Sequence, residues 1–308
     1  MQKIYFGAPG TGKSFEIKKF LIDNRISDEY IFRTTFHPEY TYNDFTGQLL
    51  PTVKGDDITY TYKKGIFTLA LEKAYEDTSI PVYLIIEEMS RGNCAAIFGD
   101  IFQLLDREKD GVNKGWSEYF INNEFLAKDI VAITDNKVKL PPNFNIFGTV
   151  NTSDQNVFTM DTAFKRRFEW EYVSTEPKKL QDGTFINDTE IIIKTNDGDL
   201  NCTWTQLYQA LNIFITSKDL LNLGEDKQIG QFFIDFSEVD TDEGKSAIIL
   251  NKLLHYLWFD ISQNSFNEDI SLFETTINSF KDLFVEYTVQ NKIFSNRFID
   301  ILKKQINA

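Results

Sequence analysis

The sequence predicts an α/β fold built on a parallel sheet and followed by a smaller α-helical domain. Three observations carry that prediction. The short β-prone run Ile4-Tyr5-Phe6 passes through a glycine-rich loop into a helical pattern with Ile17, Phe20 and Leu21 on one face. The run Val82-Tyr83-Leu84-Ile85-Ile86 is apolar on both faces, as a central parallel strand should be, and it ends in Glu87-Glu88. A third buried-type strand, residues 144–150, delivers Asn151 at its carboxyl end. After the second strand, Ile97, Phe98, Ile101, Leu104 and Leu105 recur at helical spacing up to the turn-prone Asp110-Gly111. Strands separated by helical segments imply crossover connections, with a ligand in the crevice at the strands' carboxyl ends.

Beyond Tyr172 the chain turns polar, with hairpin signals at Asp182-Gly183 and Asp197-Gly198. From Thr203 onward the pattern is mainly helical, and residues 207–215, 247–259 and 270–289 read as amphipathic helices. The expected division is a core over residues 1–200 and a helical domain over residues 201–308.

Composition narrows the function classes. With 308 residues, 42% hydrophobic and 25% charged, the chain has ordinary globular usage, although Phe is abundant at 28. The 32 Lys+Arg against 46 Asp+Glu leave a net charge of −14, which argues against a general phosphate-backbone binder. Nucleic-acid contact is expected to be local or made by a partner. Cys94 and Cys202 are too far apart in sequence for a metal cluster or a disulfide framework and read as packing residues. His255, on an apolar helical pattern, reads as a core or edge histidine. No signal segment is recognisable at the start and the longest apolar run, residues 82–86, is too short for a bilayer, so a cytoplasmic location without membrane contact is expected.

The chemistry concentrates in three polar clusters at the strand ends and one basic run beyond them. Gly7-Ala8-Pro9-Gly10-Thr11-Gly12-Lys13-Ser14 fits G-x-x-x-x-G-K-[ST] and sits between a strand and a helix, the context a phosphate loop requires. There the backbone N–H groups and the helix N-terminus attract phosphate oxygens, Lys13 neutralises the β/γ-phosphates, and Ser14 can ligate Mg²⁺. Glu87 and Glu88 end the second strand, where one carboxylate can hold the metal shell and the other can orient or deprotonate the attacking water. The acid more usual at the first position is Asp, and Glu87 is one methylene longer. Asn151 and Asp154 could both reach that water, and the same pair would equally cap a turn. Lys165-Arg166-Arg167, the longest basic run, ends a short helix before the strand at residues 169–172; solvated cations at a helix C-terminus are the plainer reading.

In this order, the phosphate loop, residues 84–93 with Ile97-Phe98-Gly99-Asp100, Val150-Asn151-Thr152-Ser153-Asp154 and residues 161–168 resemble the McrB family, the AAA+ motor subunits of modification-dependent restriction systems. The family signature M-N-T-A-D-R-S is kept at Asn151, Thr152 and Asp154, whereas Val150, Ser153, Gln155 and Asn156 stand at the other positions. Residues 35–45 and Gly65-Ile66-Phe67 also resemble segments typical of these proteins. The resemblance covers residues 1–172 and, more weakly, 224–233.

The resemblance implies an AAA+ P-loop NTPase with a parallel-sheet αβα core and a C-terminal helical lid. It implies a homo-oligomeric, hexameric or partial ring that hydrolyses GTP or ATP with Mg²⁺ and drives a separate McrC-like nuclease subunit on DNA. Glu88 would be the catalytic acid, Asn151 the first sensor, and Asp154 a companion carboxylate. Ser14 and Glu87 would hold the metal. Arg91, Arg166 and Arg167 would face the neighbouring subunit's nucleotide, and Lys227 and Gly230 would supply a lid sensor. The guanine signature of small GTPases is absent, since Asn113-Lys114-Gly115-Trp116 and Asn136-Lys137-Val138-Lys139 both lack its Asp. A protein-remodelling ATPase of the dynein-related or MoxR-like kind shares the loop, acids and arginines, and a non-hydrolysing nucleotide-gated scaffold is a further alternative.

Overall fold

The computed structural model describes residues 1–54, 57–153, 158–239, 241–264, 267 and 269–307. Two compact units make up the chain, Met1–Phe6 with Lys13–Tyr172, and Gly7–Gly12 with Val173–Ala308. In the first unit β1 (Gln2–Gly7) is followed by α1 (Lys13–Asp23) and β2 (Ile31–Thr35). Then α2 (Tyr42–Thr46) leads into a hairpin of β3 (Gly47–Lys54) and β4 (Asp57–Lys64), and α3 (Ile66–Glu76) returns the chain to β5 (Val82–Glu87). Next come α4 (Cys94–Phe98), a two-stranded pair β6 (Ile121–Asn122) and β7 (Lys137–Val138) around α5 (Glu124–Ala127), then β8 (Phe144–Asn151), α6 (Thr162–Lys165) and β9 (Glu169–Tyr172).

Five strands form a parallel sheet in the order β2-β5-β8-β1-β9. Its carboxyl-terminal edge therefore gathers the ends of β1, β5 and β8, as the three polar clusters in the sequence predict. Leu84, Ile85 and Ile86 of β5 are wholly buried, which explains why that strand is apolar on both faces. β5 pairs with β8 in the register Leu84↔Ile146 and Ile86↔Gly148. A Cβ on Gly148 would lie 2.7 Å from Met89 Sδ, so a bare Cα lets the turn after β5 pack on the strand. The abundant Phe forms an unbroken chain of ring contacts. It runs Phe144–Phe67–Phe45–Phe98–Phe164–Phe168, with centroids 5.1–5.7 Å apart, and joins the sheet to α6.

The helix expected from residue 97 toward Asp110 is interrupted. α4 stops at Phe98 because Gly99 adopts φ +48°, and the chain continues as a tighter 3₁₀ stretch, Gly99–Leu105.

In the second unit β10 (Glu190–Thr195) and β11 (Gly198–Thr203) pair about the predicted Asp197-Gly198 turn. α7 (Trp204–Thr216) opens on a capping box in which Thr203 and Gln206 satisfy each other's backbone N–H groups. α8 (Asp242–Ile248) widens into π-type turns through Ile261, and α9 (Phe280–Thr288) and α10 (Asn296–Ile306) complete the unit. Its core is built on Trp204, Tyr208, Phe214, Leu253, Leu257, Phe273 and Phe298. The single helix expected over residues 270–289 is not formed. Phe273 bridges to Phe294, Glu274 N–H donates to Ile293 O, and the helix begins only where Ser279 caps Asp282 N–H. Among the described residues no helix is long and apolar enough to cross a membrane.

A single arginine ties the first unit together beneath the sheet. Arg107 Nε donates to Gln2 Oε1 at 2.9 Å, Nη1 to the carbonyls of Gly115, Leu140 and Pro141 at 2.9–3.1 Å, and Nη2 to Phe144 O at 2.9 Å. Gln2 in turn donates to Leu105 O and Arg167 O. Burial pulls the guanidinium pKa down to about 10, still leaving it charged at neutral pH. Arg107→Ala removes the donors from four carbonyls and a side-chain amide at once. The expected loss is about 3 kcal/mol of unfolding free energy, read as a lower denaturant midpoint by circular dichroism.

Candidate functional site

The glycine loop leaves β1 at Gly7 and enters α1 at Lys13. Gly10 and Gly12 take φ +76° and +87°, values that side chains bearing a Cβ rarely adopt, and Thr11 Oγ1 donates to Ala8 O at 3.0 Å. Backbone turns of this kind direct successive N–H groups into one anion-binding concavity. Lys13 is buried.

Within the second unit, residues 229–233 form a strap that is hydrogen-bonded to the loop. Gly230 N–H donates to Pro9 O at 2.9 Å and Phe232 N–H to Gly10 O at 2.7 Å. A Cβ on Gly230 would stand 2.5 Å from backbone atoms of Gly10 and Thr11, so only glycine permits this approach. The strap is itself fixed by α7, because Asn212 exchanges hydrogen bonds with both backbone groups of Ile229 and Trp204 Nε1 donates to Gln231 O at 2.8 Å. Gly230 thus meets the loop through its backbone, while Lys227 lies in the short turn Glu225–Lys227 with its carbonyl accepting from Tyr256. No periodic signal marks this strap in the sequence; it is flagged only by the weak resemblance over residues 224–233, which singles out Lys227 and Gly230.

At the carboxyl ends of β5 and β8 the two acids have separate partners. Glu87 Oε2 accepts from Ser14 Oγ at 2.9 Å and from Thr149 Oγ1 at 2.6 Å, and its Oε1 is contacted by Arg33 Nη1. Glu88 leaves the strand in a left-handed conformation, φ +52° and ψ +44°. Its N–H donates to Thr149 Oγ1 at 3.1 Å, and Asn151 Nδ2 lies 2.9 and 3.0 Å from its two carboxylate oxygens. Arg91 Nε stands 3.3 Å from Glu88 Oε2 with half of its side chain exposed. Ser14, Glu87, Glu88, Arg91 and Asn151 are therefore brought together, and Arg33 and Thr149 join them without having been singled out in the sequence. Asp154 lies outside the described residues.

The donor set is all oxygen. Ser14 spends its proton on Glu87 and keeps its lone pairs for a cation, an arrangement that fits Mg²⁺ held by one hydroxyl, one carboxylate and phosphate oxygens. Among the described residues no group of three or more His, Cys, Asp or Glu could cage a metal unaided.

The two arginines of the basic run part company. Arg166 is exposed at the end of α6. Arg167 turns inward, where Nη2 meets Asp106 Oδ2 at 2.5 Å, Nη1 donates to Ala163 O, and the guanidinium lies 4.0 Å from the Phe102 ring centroid. Elsewhere, burial pushes the thiols of Cys94 and Cys202 up to about 12, leaving them as unreactive packing groups. His255 sits at an edge against the rings of Phe259 and Phe280.

Comparison with known proteins identifies the family. The model of the AAA domain (dynein-related subfamily) matches residues 4–168. The type II restriction enzyme BsuMI component YdiS of Bacillus subtilis is 32% identical over 325 aligned positions, covering 95% of this chain and 87% of that protein. The type IV methyl-directed restriction enzyme EcoKMcrB subunit of Escherichia coli is 29% identical over 176 positions, covering 56% of this chain and 34% of that protein. With a phosphate loop that opens an AAA domain and a restriction component alike along nearly its whole length, the chain belongs to the McrB family of AAA+ P-loop nucleoside triphosphatases.

Proposed function

We propose that the chain is the motor subunit of a restriction system, hydrolysing a purine triphosphate, GTP or ATP, at the seams of a homo-oligomeric ring and driving a separate McrC-like nuclease subunit on DNA. The observation that carries this reading is the pairing of Ser14 with Glu87 and of Asn151 with Glu88 at one sheet edge. The names of the two restriction relatives supply the biological setting. Residues 7–14 would bind the phosphates with Lys13 neutralising them, and Ser14 with Glu87 would hold Mg²⁺, which would supply further charge neutralisation. Glu88 accepts the proton of the attacking water, and Asn151 fixes the carboxylate that does so. In the resting chain Asn151 and Arg91 both engage that carboxylate. Arg91 exchanging Glu88 for the phosphates of a neighbouring copy would free one of its oxygens. Arg166 is the exposed guanidinium suited to act in trans, and Arg167 supports it from within through Asp106.

Glu88→Gln is expected to keep nucleotide binding and assembly while turnover falls about 10²- to 10⁴-fold, measured by phosphate release; unchanged turnover removes Glu88 from this role. GTP and ATP compared in the same assay, with oligomeric state read by light scattering, decide base preference and ring formation together. DNA cleavage should appear only when a nuclease subunit is added, and cutting by the chain alone would refute the motor assignment.

The arginines are separable. Arg166→Ala should lose turnover by about 10³-fold or more at unchanged stability, and mixing with a Lys13→Ala chain should restore part of it because each supplies what the other lacks. Arg167→Ala should instead destabilise the first unit by about 3 kcal/mol, since Asp106 is left without its cation, and thermal unfolding distinguishes the two.

A further inference from the structure

Glu87 carries one methylene more than the aspartate usual at its position, and the contacts around it account for that length. Its carboxylate spans three elements. Oε2 accepts from Ser14 on α1 and Thr149 on β8, while Oε1 is contacted by Arg33 on β2. β2 and β5 run side by side with Thr35 opposite Glu87 and Arg33 opposite Ile85. Arg33 thus comes from the edge strand, two residues back from the one that flanks the acid. The Glu87 side chain is 16% exposed and that of Arg33 44%, so the pair meets at a half-open rim.

Such a pair has consequences for a cation. A carboxylate chelates a metal with both oxygens only if both are available, and here Oε1 is committed to a guanidinium. The guanidinium also adds one positive charge beside the site, which opposes a second cation. Ser14, a donor to Oε2, spends its proton there and can use its lone pairs for a cation.

We propose that Arg33 is a positioning residue for the metal step. It keeps Glu87 a one-oxygen acceptor that orients the Ser14 hydroxyl as the metal ligand, and it weakens resting affinity for Mg²⁺ so that the cation enters with the nucleotide. This rests on the site reading above, in which residues 7–14 take a triphosphate.

The test is a titration of Mg²⁺ against binding of a fluorescent guanine or adenine triphosphate to the full chain, for wild type, Arg33→Met, Arg33→Lys and Glu87→Asp. Arg33→Met should lower the half-saturating Mg²⁺ by about fivefold, the scale of one half-exposed charge pair, and leave nucleotide affinity in EDTA unchanged. Arg33→Lys, which keeps the charge, should stay near wild type. In the Glu87→Asp background, where the shorter side chain no longer spans to β2, adding Arg33→Met should shift the Mg²⁺ requirement less than it does in wild type. An Arg33→Met protein that binds nucleotide but keeps the wild-type Mg²⁺ requirement, or needs more, overturns the inference and leaves the site reading standing. Equal weakening with and without Mg²⁺ makes Arg33 a merely structural strand residue and also overturns it. A wild-type chain that takes up no purine triphosphate at any Mg²⁺ overturns both.

Discussion

One hydroxyl holds the acidic edge of the sheet in register. Thr149 Oγ1 donates to Glu87 Oε2 and accepts from Glu88 N–H, so a single side chain on β8 fixes two consecutive residues at the end of β5. Everything the acids do depends on that junction. Because β5 and β8 are parallel neighbours, their carboxyl ends arrive at the same height, and Asn151, two residues beyond Thr149, meets Glu88. An antiparallel pairing would have sent the acids and the amide to opposite edges.

The hydrophobic core transmits this placement to the arginines. The ring chain from Phe144 to Phe168 begins on β8 and ends at the turn into β9, and Arg167 is stacked on Phe102, which itself faces Phe164. Core aromatics thereby set the orientation of α6, and one arginine of the basic run is committed to the interior so that the other faces solvent. The sequence shows two adjacent guanidiniums; only the packing gives them different surroundings.

Much of this was legible in the residues alone. β1, β5, β8 and β9 announce themselves by apolar runs or strand-prone termini, and the loop motif between strand and helix marks the candidate phosphate site. β2 was missed because Ile31-Phe32-Arg33-Thr34-Thr35 has only two apolar positions and a central charge, the mark of an edge strand, here with its arginine against Glu87. The β3–β4 hairpin was likewise invisible, since its strands are held by each other and expose Val53, Ile58 and Tyr60 instead of burying one face. The strap at residues 229–233, flagged only by the weak resemblance over 224–233, depends on hydrogen bonds from α7 to Ile229 and Gln231 and on to the loop, contacts of long sequence separation that leave no periodic pattern. Residues 270–289 failed for the opposite reason: helical spacing was present, yet a bridge from Phe273 to Phe294 and a serine cap at residue 279 outweighed it.

The backbone of Glu88 shows how the site bears its own strain. A left-handed conformation costs a non-glycine residue about 1–2 kcal/mol, and glycine at this position would relieve it. Each hydrogen bond to a charged group contributes about 1.5–3 kcal/mol, and Asn151 addresses both carboxylate oxygens while Thr149 satisfies the N–H. The contacts outweigh the strain, so the conformation is held by what surrounds it and not by local preference. That ordering has a functional consequence. The left-handed turn aims the carboxylate back across β8 toward Asn151 instead of onward along β5, so the same distortion that costs local energy is what separates the two acids, leaving Glu87 with Ser14 and giving Glu88 to the amide.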